Sequence, residues 1–480
     1  MIVGPQPDPN VPGLTLDDLF RRAAVRNPDA LALADPNDRV TFTGGTPKTL
    51  TYAEADRAIW STAARLRALG LSADAVVAFQ LPNTVESVIT LLGILRAGMI
   101  AAPLPMLWRE AEITSALSGV GAKALLTVSH INGTDHCAIA MRAAASLFSI
   151  RHVCVFGRDL SGGVASFDSV ESGDAPFGHR RPDEARHAAV VTFETTARGP
   201  QPVVRNHGQI LAGAAAALGS RMLPANVPVL SALPLSSFAG LALTVLPWLR
   251  SGGALVLHQP FDAEQFFAQQ RLYGCAIVAA PARLAGVVAS EIRRRGGPLD
   301  TVLALWRAPG RPDRRVKDDA LIDVEAIGEF ALRGRARAAR PADVAIPPIL
   351  FTQRSPAGML VLSGPIVAGT GPFGEISDAG AAHAPVDTGY PCRIDNNELT
   401  VTAFPAAMVE VGGYRIPRAE IDAVTASLPS GTIIAALPDA LLGQRLIGTA
   451  SDAGQVETSL SERGVTPLIG RAFTRRRAAA

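Results

Sequence analysis

The sequence predicts a large, layered α/β domain followed by a small α+β domain, and two patterns carry this prediction. Segments with helical spacing alternate with short apolar runs from Thr15 to Arg295, which is typical of βαβ units and a parallel sheet. From Ile346 the pattern changes to short strands among glycines and prolines, and a mixed tail follows Val401. With 480 residues, of which 48% are hydrophobic and 18% charged, the chain is long enough for two or three domains with a sizeable core.

Caps and periodicity locate the elements of the N-terminal part. Thr15 is the predicted N-cap of a helix that ends before Pro28, and Thr51 and Glu54 form a predicted capping box ahead of a helix over 53–69. Residues 31–33 and 40–42 are predicted to pair as a hairpin. The alternation then predicts strands over 76–81, 100–103, 124–128 and 152–156, and helices over 84–97, 110–120 and 138–148.

The same alternation resumes after the stretch Val190–His207, which reads V-V-T-F-E-T-T-A-R-G-P-Q-P-V-V-R-N-H. Two valine-rich ends frame Gly199, Pro200 and Pro202, so this stretch is predicted to form a strand, a tight loop and a second strand. Helices are then predicted over 209–218, 240–250, 263–273 and 282–295, and strands over 227–232, 254–258 and 276–279.

Composition and charge limit the partners, metal sites and location that we expect for this protein. The formal net charge of +2 gives no argument for nucleic acid or an anionic membrane as a partner. The four cysteines are far apart and lack metal-ligand spacing, so buried, reduced thiols are expected and no residue is assigned to a metal. The apolar run Val85–Leu104 contains charged residues, glycines and a proline, so no membrane span is expected. A cytoplasmic location is the resulting expectation.

Five stretches with recognisable motifs lie in a definite order along the chain. They read L-T-Y-A-E-A-D at 50–56, L-P-N-T-V-E at 81–86, L-L-G-I-L-R-A-G-M-I-A-A-P-L-P at 91–105, L-S-A-L-P-L-S-S-F-A-G-L at 230–241 and V-G-G-Y-R-I-P-R-A-E-I-D at 411–422. Over roughly Thr15–Leu442 the chain thus resembles the adenylate-forming ANL superfamily, which includes acyl- and aryl-CoA synthetases, peptide-synthetase adenylation domains and luciferases. The resemblance implies an ANL-like, AMP-binding-type N-terminal domain over 1–402 and a shortened, truncated C-terminal lid domain over 403–480.

The resemblance also implies a reaction and its participants. Superfamily members activate a carboxylic acid as an acyl-adenylate and then transfer the acyl group to a thiol. The implied cofactors are ATP with Mg²⁺, and CoA or carrier-protein pantetheine. The implied partners are a small carboxylic acid or acyl thioester, and an acyl-carrier protein or a homologous synthetase.

The phosphate loop of the superfamily, of the form T-S-G-T-T-G-x-P-K-G, aligns with residues 193–202. All three of its glycines are replaced here and its lysine is Gln201, so backbone freedom and a cation are lost. Glu194 places a negative charge where the polyphosphate would lie, and Arg198 offsets that charge only in part. The candidate nucleotide-binding residues in this loop are Thr195, Thr196, Arg198 and Gln201.

Other nucleotide-contacting positions are altered as well. The glycine-rich adenine turn aligns with 305–309, and the motif of the magnesium-binding glutamate aligns with 327–331, where Glu329 is the candidate. The ribose-binding aspartate position is Tyr390, which leaves Asp387 as the candidate substitute. The hinge motif aligns with 403–407. The family lysine that contacts the reacting carboxylate has no counterpart before the chain ends, and Arg471 is a remote stand-in.

An acyl or aryl pocket is expected along the apolar segments 236–241 and 277–284. Its candidate lining residues are Ser236, Ser237, Phe238, Gly240 and Ala280. In the superfamily the loop corresponding to Gly412, Gly413, Tyr414 and Arg415 faces the pantetheine thiol during the second half-reaction. The other interpretation of this loop is a β-hairpin retained for domain stability, and both interpretations stay open at this point.

The altered positions belong to several independent sites, whereas the segments that build the core are retained. Removing one electrostatic donor commonly lowers the rate of such a reaction about a hundredfold or more. The resemblance implies an acyl- or aryl-CoA or carrier-protein ligase of the AMP-forming class, and the altered positions predict that its adenylation is weak or lost. The alternative is a catalytically inactive relative that binds an acyl-pantetheine ligand or a partner synthetase.

Overall fold

The structure, a computed structural model, describes residues 13–157, 162–168, 184–218, 221–310, 318–337, 350–370, 385–395 and 398–474. The helices within these ranges are, in chain order, α1 (Leu16–Arg26), α2 (Arg39–Thr43), α3 (Tyr52–Ala68), α4 (Val85–Arg96), α5 (Glu110–Ser118), α6 (His136–Ala145), α7 (His207–Leu218), α8 (Phe238–Ser251), α9 (Ala263–Leu272), α10 (Ala282–Arg294), α11 (Arg418–Ala426), α12 (Ala453–Glu462) and α13 (Pro467–Gly470).

The strands alternate with these helices over the first three hundred residues or so and dominate the rest. They are β1 (Leu31–Ala34), β2 (Thr49–Thr51), β3 (Val76–Gln80), β4 (Ile100–Pro103), β5 (Ala124–Val128), β6 (His130–Ile131), β7 (Thr134–Asp135), β8 (His152–Phe156), β9 (Ala165–Ser166), β10 (Ala188–Thr196), β11 (Gly199–Asn206), β12 (Val229–Ser231), β13 (Leu255–Leu257), β14 (Ile277–Pro281), β15 (Thr301–Arg307), β16 (Leu321–Ile327), β17 (Ala331–Ala336), β18 (Phe351–Arg354), β19 (Met359–Ser363), β20 (Gly369–Thr370), β21 (Val386–Asp395), β22 (Glu398–Val401), β23 (Met408–Val411), β24 (Tyr414–Pro417), β25 (Ile433–Asp439) and β26 (Gly443–Thr449).

Two eight-stranded sheets form the large domain. Their strand orders are β17-β16-β15-β14-β12-β13-β1-β2 and β20-β11-β10-β4-β3-β5-β8-β9, and most neighbouring strands within them run parallel. One apolar core contains side chains of both sheets together with those of α1, α3, α4 and α8, so these helices lie between the sheets. A second core joins the other face of one sheet to α5 and α6, and a third joins the other sheet to α9 and α10. This layered arrangement confirms the predicted α/β fold class.

The small domain has a sheet and a core of its own. Its strands are ordered β24-β23-β26-β25, and its apolar core contains residues of the β-strands and of α11, α12 and α13 between Val409 and Phe473. A further four-stranded sheet, β18-β19-β21-β22, precedes it in the chain. The boundary between residues 402 and 403 stays a prediction.

Local sequence signals were sufficient for most elements. Thr15 and Thr51 cap α1 and α3 with capping boxes, and β4, β5 and β8 have the predicted bounds. The predicted pairing of 31–33 with 40–42 is wrong: β1 pairs with β2, and residues 39–43 form α2. The reason is tertiary, because α2 turns the buried Arg39 toward Glu86, with Arg39 Nη2 2.9 Å from Glu86 Oε1.

Within the described ranges no helix is both long and apolar enough to cross a bilayer. All four cysteines are buried, and none of them forms a disulfide.

Candidate functional site

The hairpin β10–β11 contains the stretch from which a phosphate loop was predicted. Its strands pair without interruption from Val190 and Arg205 to Thr196 and Gly199, so the connection is a turn of two residues. Thr196 Oγ1 donates to the carbonyl of Gly199 at 2.9 Å and accepts from Arg198 N at 3.2 Å. The prediction of strand, tight loop and strand is confirmed, but the hydroxyl of Thr196 serves to close the turn.

Glu194 lies in the last part of β10 and has a buried side chain, 3% exposed. Its carboxylate receives two hydrogen bonds from Arg415, one to Oε1 and one from Nη2 to Oε2 at 3.2 Å. Its Oε2 also accepts from the backbone N–H of Glu329 at 2.8 Å. Gly328 makes this contact feasible, because a Cβ at that position would lie 2.6 Å from Glu194 Oε2. Both oxygens of this buried anion are therefore satisfied by protein groups.

Glu329 lies beside Glu194, in the turn between β16 and β17. Its Oε2 accepts from the backbone N–H of Phe238 at 2.6 Å, and its Oε1 lies 3.8 Å from Arg307 Nη1. The carboxylate that was the candidate magnesium ligand thus joins the start of α8 to the end of β15.

Arg205 of β11 is a buried arginine close enough to these two carboxylates to interact with them electrostatically. Its guanidinium donates to the carbonyls of Glu329 and Phe330 and to Thr192 Oγ1, the last at 3.2 Å. It also lies 3.7 Å from the centre of the Phe238 ring, a cation–π arrangement. Burial lowers the pKa of Arg205 to about 10, against the opposing effect of Glu329 and Glu194. At neutral pH the group is still a cation.

Arg415 and Glu410 face each other across the hairpin β23–β24. Burial acts to lower the pKa of Arg415, but Glu194 and Tyr390 outweigh it and raise that pKa above its ordinary value. The guanidinium lies 5.6 Å from the Tyr390 ring centre. Burial raises the pKa of Glu410 to about 7 against the pull of Arg307, Arg415 and Arg283. Within the described part of the chain, Glu410 Oε2 has no hydrogen-bond partner.

These groups form one charge network, which we define as Glu194, Glu329, Glu410, Arg205, Arg307 and Arg415. Three carboxylates face three guanidinium groups, so the network is balanced when all six are ionised. Its members come from both the large and the small domain. Two donors beside the predicted phosphate loop, the Arg415 guanidinium and the Glu329 N–H, are directed at the carboxylate of Glu194.

A small cavity of about 50 Å³ adjoins the network, between the large and the small domain. Its walls include Trp108, Glu112, Thr195, Tyr414, Arg415 and Glu420. Burial, reinforced by the neighbouring Glu112, raises the pKa of Glu420 to about 7. Apart from Arg415, which is paired with Glu194, the charged residues of this wall are the acidic Glu112 and Glu420.

Residues 20–308 match the sequence model of the AMP-binding enzyme family. The chain belongs to that family. Together with the fold, this match confirms the predicted membership of the ANL superfamily.

Two curated relatives come from Mycobacterium tuberculosis strain H37Rv. A salicyl-AMP ligase / salicyl-S-ArCP synthetase is 35% identical over 145 residues, which are 30% of this chain and 25% of that protein. A 3-[(3aS,4S,7aS)-7a-methyl-1,5-dioxo-octahydro-1H-inden-4-yl]propanoyl:CoA ligase is 25% identical over 483 residues, covering 94% of this chain and 90% of that protein. The chain thus spans a quarter of the first relative and most of the second.

Solved structures show the same fold at low sequence identity. The amide bond synthetase McbA from Marinactinospora thermotolerans has a TM-score of 0.72 at 17% identity and covers 95% of this chain and 94% of its own. The apo structure of MbtA from Mycobacterium smegmatis has a TM-score of 0.66 at 23% identity and covers 97% of this chain and 90% of its own.

The predicted nucleotide-binding residues of this AMP-binding family member are only partly brought together. Thr195 lines the cavity and Glu329 joins the charge network, whereas Arg198 and Gln201 are exposed. Asp387 is exposed on β21 and accepts from the nearby Gly389 N–H at 2.9 Å. Because side chains alternate along a strand, the buried face of β21 carries Tyr390, and Tyr390 approaches Arg415.

Some of the predicted pocket residues lie at the start of α8, and others pack in a hydrophobic core. Ser237 caps α8 by accepting from Gly240 N–H at 3.1 Å, and Phe238 stacks on Arg205. Ser236 precedes this cap and is half-buried. Ala280 packs with α10 in a different core from Phe238, because it lies on the opposite face of β14 from Ile277 and Ala279. The structure does not bring Ala280 to the Phe238 side.

The predicted thiol-side loop forms the turn of hairpin β23–β24. Gly412 and Gly413 have φ of +59° and +88°, as two-residue hairpin turns require. Tyr414 lines the cavity and Arg415 enters the charge network. The hairpin is thus packed against the predicted phosphate loop of the large domain.

Sequence reasoning missed Arg205 and Glu410. Each is a single charged residue within an otherwise apolar strand, in V-V-R-N and M-V-E-V respectively. A charge inside a buried strand is rare unless it is paired, so this pattern was an available signal. Its partners, however, lie far away in the sequence.

Proposed function

We propose that this protein is an acid–thiol ligase of the AMP-forming class by descent, in which adenylation is weak or lost. It handles a small carboxylic acid or its acyl thioester, and CoA or carrier-protein pantetheine is the thiol partner. The observation that carries this proposal is the Glu194 carboxylate, which occupies the predicted phosphate loop and is paired with Arg415.

Electrostatics argues against a polyphosphate beside this pair. Adenylation depends on preorganised donors directed at the charge that develops on phosphorus. Here the Glu329 N–H and the Arg415 guanidinium are directed at Glu194 instead. A phosphate beside Glu194 would also meet a like charge in a poorly solvated place. In this arrangement the residues do not fit ATP with Mg²⁺, so we derive no step through that group.

The substrate class rests on relatives. The names of the two mycobacterial relatives specify the activation of salicylate and of a propanoyl side-chain acid, with a carrier protein or CoA as acceptor. The chain keeps the glycine turn and Tyr414 on the side where the superfamily receives a thiol. The first point supports an acyl or aryl acid as the ligand, and the second supports a thiol as the acceptor.

The charge network also favours a second candidate function, a binding protein without catalysis. Within this network the Arg415 guanidinium and the Glu329 N–H are bound to Glu194, so they are not free to bind a nucleotide. Such a protein would capture an acyl-pantetheine ligand or bind a partner synthetase.

Pyrophosphate exchange with a panel of fatty and aromatic acids tests the first proposal, with calorimetry of ATP binding alongside. The salicyl-AMP ligase, assayed with salicylate, is the positive reference. We expect exchange at least about a hundredfold below that reference. Exchange comparable to the reference would overturn weak or lost adenylation. Absence of both exchange and ATP binding, with retained binding of an acyl-CoA, would favour the binding protein.

A further inference from the structure

The contact between Glu194 and Arg415 joins two regions that have separate hydrophobic cores. The residues are 221 positions apart, and their side chains are 3% and 5% exposed. Glu194 belongs to the large domain and Arg415 to the small one. The pair is therefore a buried, two-bond contact between the large and the small domain.

Other contacts also join the large and the small domain. Gly413 packs so closely on Arg307 that a Cβ would lie 2.8 Å from Arg307 Nε. Arg283 Nη1 donates to the carbonyl of Ala440 at 2.9 Å in an exposed position. Thr466 Oγ1 donates to the carbonyl of Leu107 at 3.4 Å.

We propose that Glu194 and Arg415 form an internal latch that holds the small domain on hairpin β10–β11 without a ligand. The carboxylate of Glu194 is a built-in anion at a place where the family's fold would receive a phosphate. Arg415 binds this anion with two hydrogen bonds, so closure does not await an external one. The inference concerns the ligand-free chain and is independent of the proposed reaction.

Burial makes the latch sensitive to the loss of either partner. Removing one member of a buried ion pair leaves the other as an uncompensated charge in the closed state. In an open state that charge would be hydrated, so each single neutral variant shifts the chain toward opening. Removing both charges restores part of the balance, so the two substitutions are coupled.

Hydrogen exchange of the full chain, measured by mass spectrometry without nucleotide or acid, tests the latch. The variants are Glu194→Gln, Arg415→Met and the double variant, with Arg294→Gln as a matched control, because the ion pair of Arg294 with Glu291 is exposed and lies within α10. We expect each single variant to accelerate exchange in segments 190–206 and 408–417 about a hundredfold or more. Exchange in β3 and α4 should remain as in the wild type. The control should stay within about twofold of the wild type, as for a solvated contact.

The double variant decides whether the two residues act together. We expect its acceleration to be at least about tenfold smaller than the product of the two single effects. Single variants that exchange as the wild type does, or a double variant equal to that product, would overturn the latch. If a single variant does not fold by circular dichroism, Glu194→Asp and Arg415→Lys replace it. These keep the charges but change the reach, and a latch requires that they accelerate exchange at the same two segments.

Discussion

Glu194 illustrates how one carboxylate acquires its role from its partners. On β10 it would be an isolated buried charge, and an unpaired charge there would be costly. Arg415 and the Glu329 N–H satisfy it across 221 and 135 residues of sequence. The same three groups decide whether an external anion has room and donors at this hairpin.

Replacing Glu194 by serine should make the hairpin more receptive to polyanions. The substitution removes the like charge and releases Arg415 from its pair, so binding of inorganic tripolyphosphate should strengthen at least about tenfold over the wild type. Isothermal titration calorimetry at low salt measures this change. Glu194→Asp, which retains the negative charge at this position, is the matched control and should bind tripolyphosphate more weakly than the serine variant. Equal affinities for the serine and aspartate variants would contradict the argument.

Sequence was informative about some residues of the site and silent about others. Glu194 stood out because the alignment placed an acid in a phosphate loop. Arg205 and Glu410 did not, because their burial depends on distant groups: Arg205 bonds to Glu329 and Phe330, which are 124 and 125 positions away. Pairing across such distances is set by the fold and has no local pattern.

At the scale of elements, the start of α8 shows that a motif typical of the superfamily can have a structural role. Ser237 caps the helix, and Phe238 N–H donates to Glu329. A Cβ on Gly240 would lie 1.8 Å from the carbonyl oxygen of Pro234. These contacts therefore fix the direction in which α8 leaves the segment that precedes it. They would do so whether or not the motif also lines a substrate pocket.

Gly240→Ala should destabilise the protein, because the backbone of the helix start must move away from Pro234. We expect the free energy of unfolding to fall by roughly 1–3 kcal/mol, the usual cost of overpacking. Urea denaturation followed by circular dichroism measures it. Gly286→Ala in α10 is the control: its nearest heavy atom would be 4.0 Å away, and alanine favours a helix by about 1 kcal/mol. A Gly240→Ala variant as stable as this control would refute the clash.

Local sequence signals predicted an element correctly where the capping residue and the apolar spacing indicate the same helix, as in α3 with its capping box. They failed at α2, where an apolar, β-branched run is helical because Arg39 and Phe42 are buried on one side of the turn. β1 pairs with β13 as well as with β2, and α2 lies between β1 and β2 in the sequence, so no local pattern identifies these partners. The positions of helices and strands were thus more predictable from the sequence than the pairing of the strands.

At the scale of the whole molecule, the charge network connects domain packing to pH. Glu410 lies on β23 of the small domain and faces Arg307, Arg415, Arg283 and Glu194. Its carboxyl is buried, so its ionisation opposes the closed, folded arrangement. The pKa rises from its ordinary 4.5 to about 7 on folding, chiefly through burial.

The sign of the resulting pH dependence follows from proton binding. Between pH 4.5 and 7 the folded state holds a proton on Glu410 that the unfolded state has lost, so stability falls as pH rises through this window. Below that window both states are protonated, and above it both are ionised, so the contribution of Glu410 is constant. A shift of this size corresponds to roughly 3 kcal/mol as an upper bound.

Glu410→Gln should remove this part of the pH dependence. Relative to the variant, the wild type should lose up to roughly 3 kcal/mol of unfolding free energy between pH 5 and pH 8. Denaturant titrations at both pH values measure the difference, in which the contributions of all other carboxyl groups, Glu420 included, cancel. Glu462→Gln, at the exposed end of α12, is the matched control and should parallel the wild type at both pH values. If the wild type and Glu410→Gln change equally with pH, the carboxyl of Glu410 is not held protonated by the closed fold.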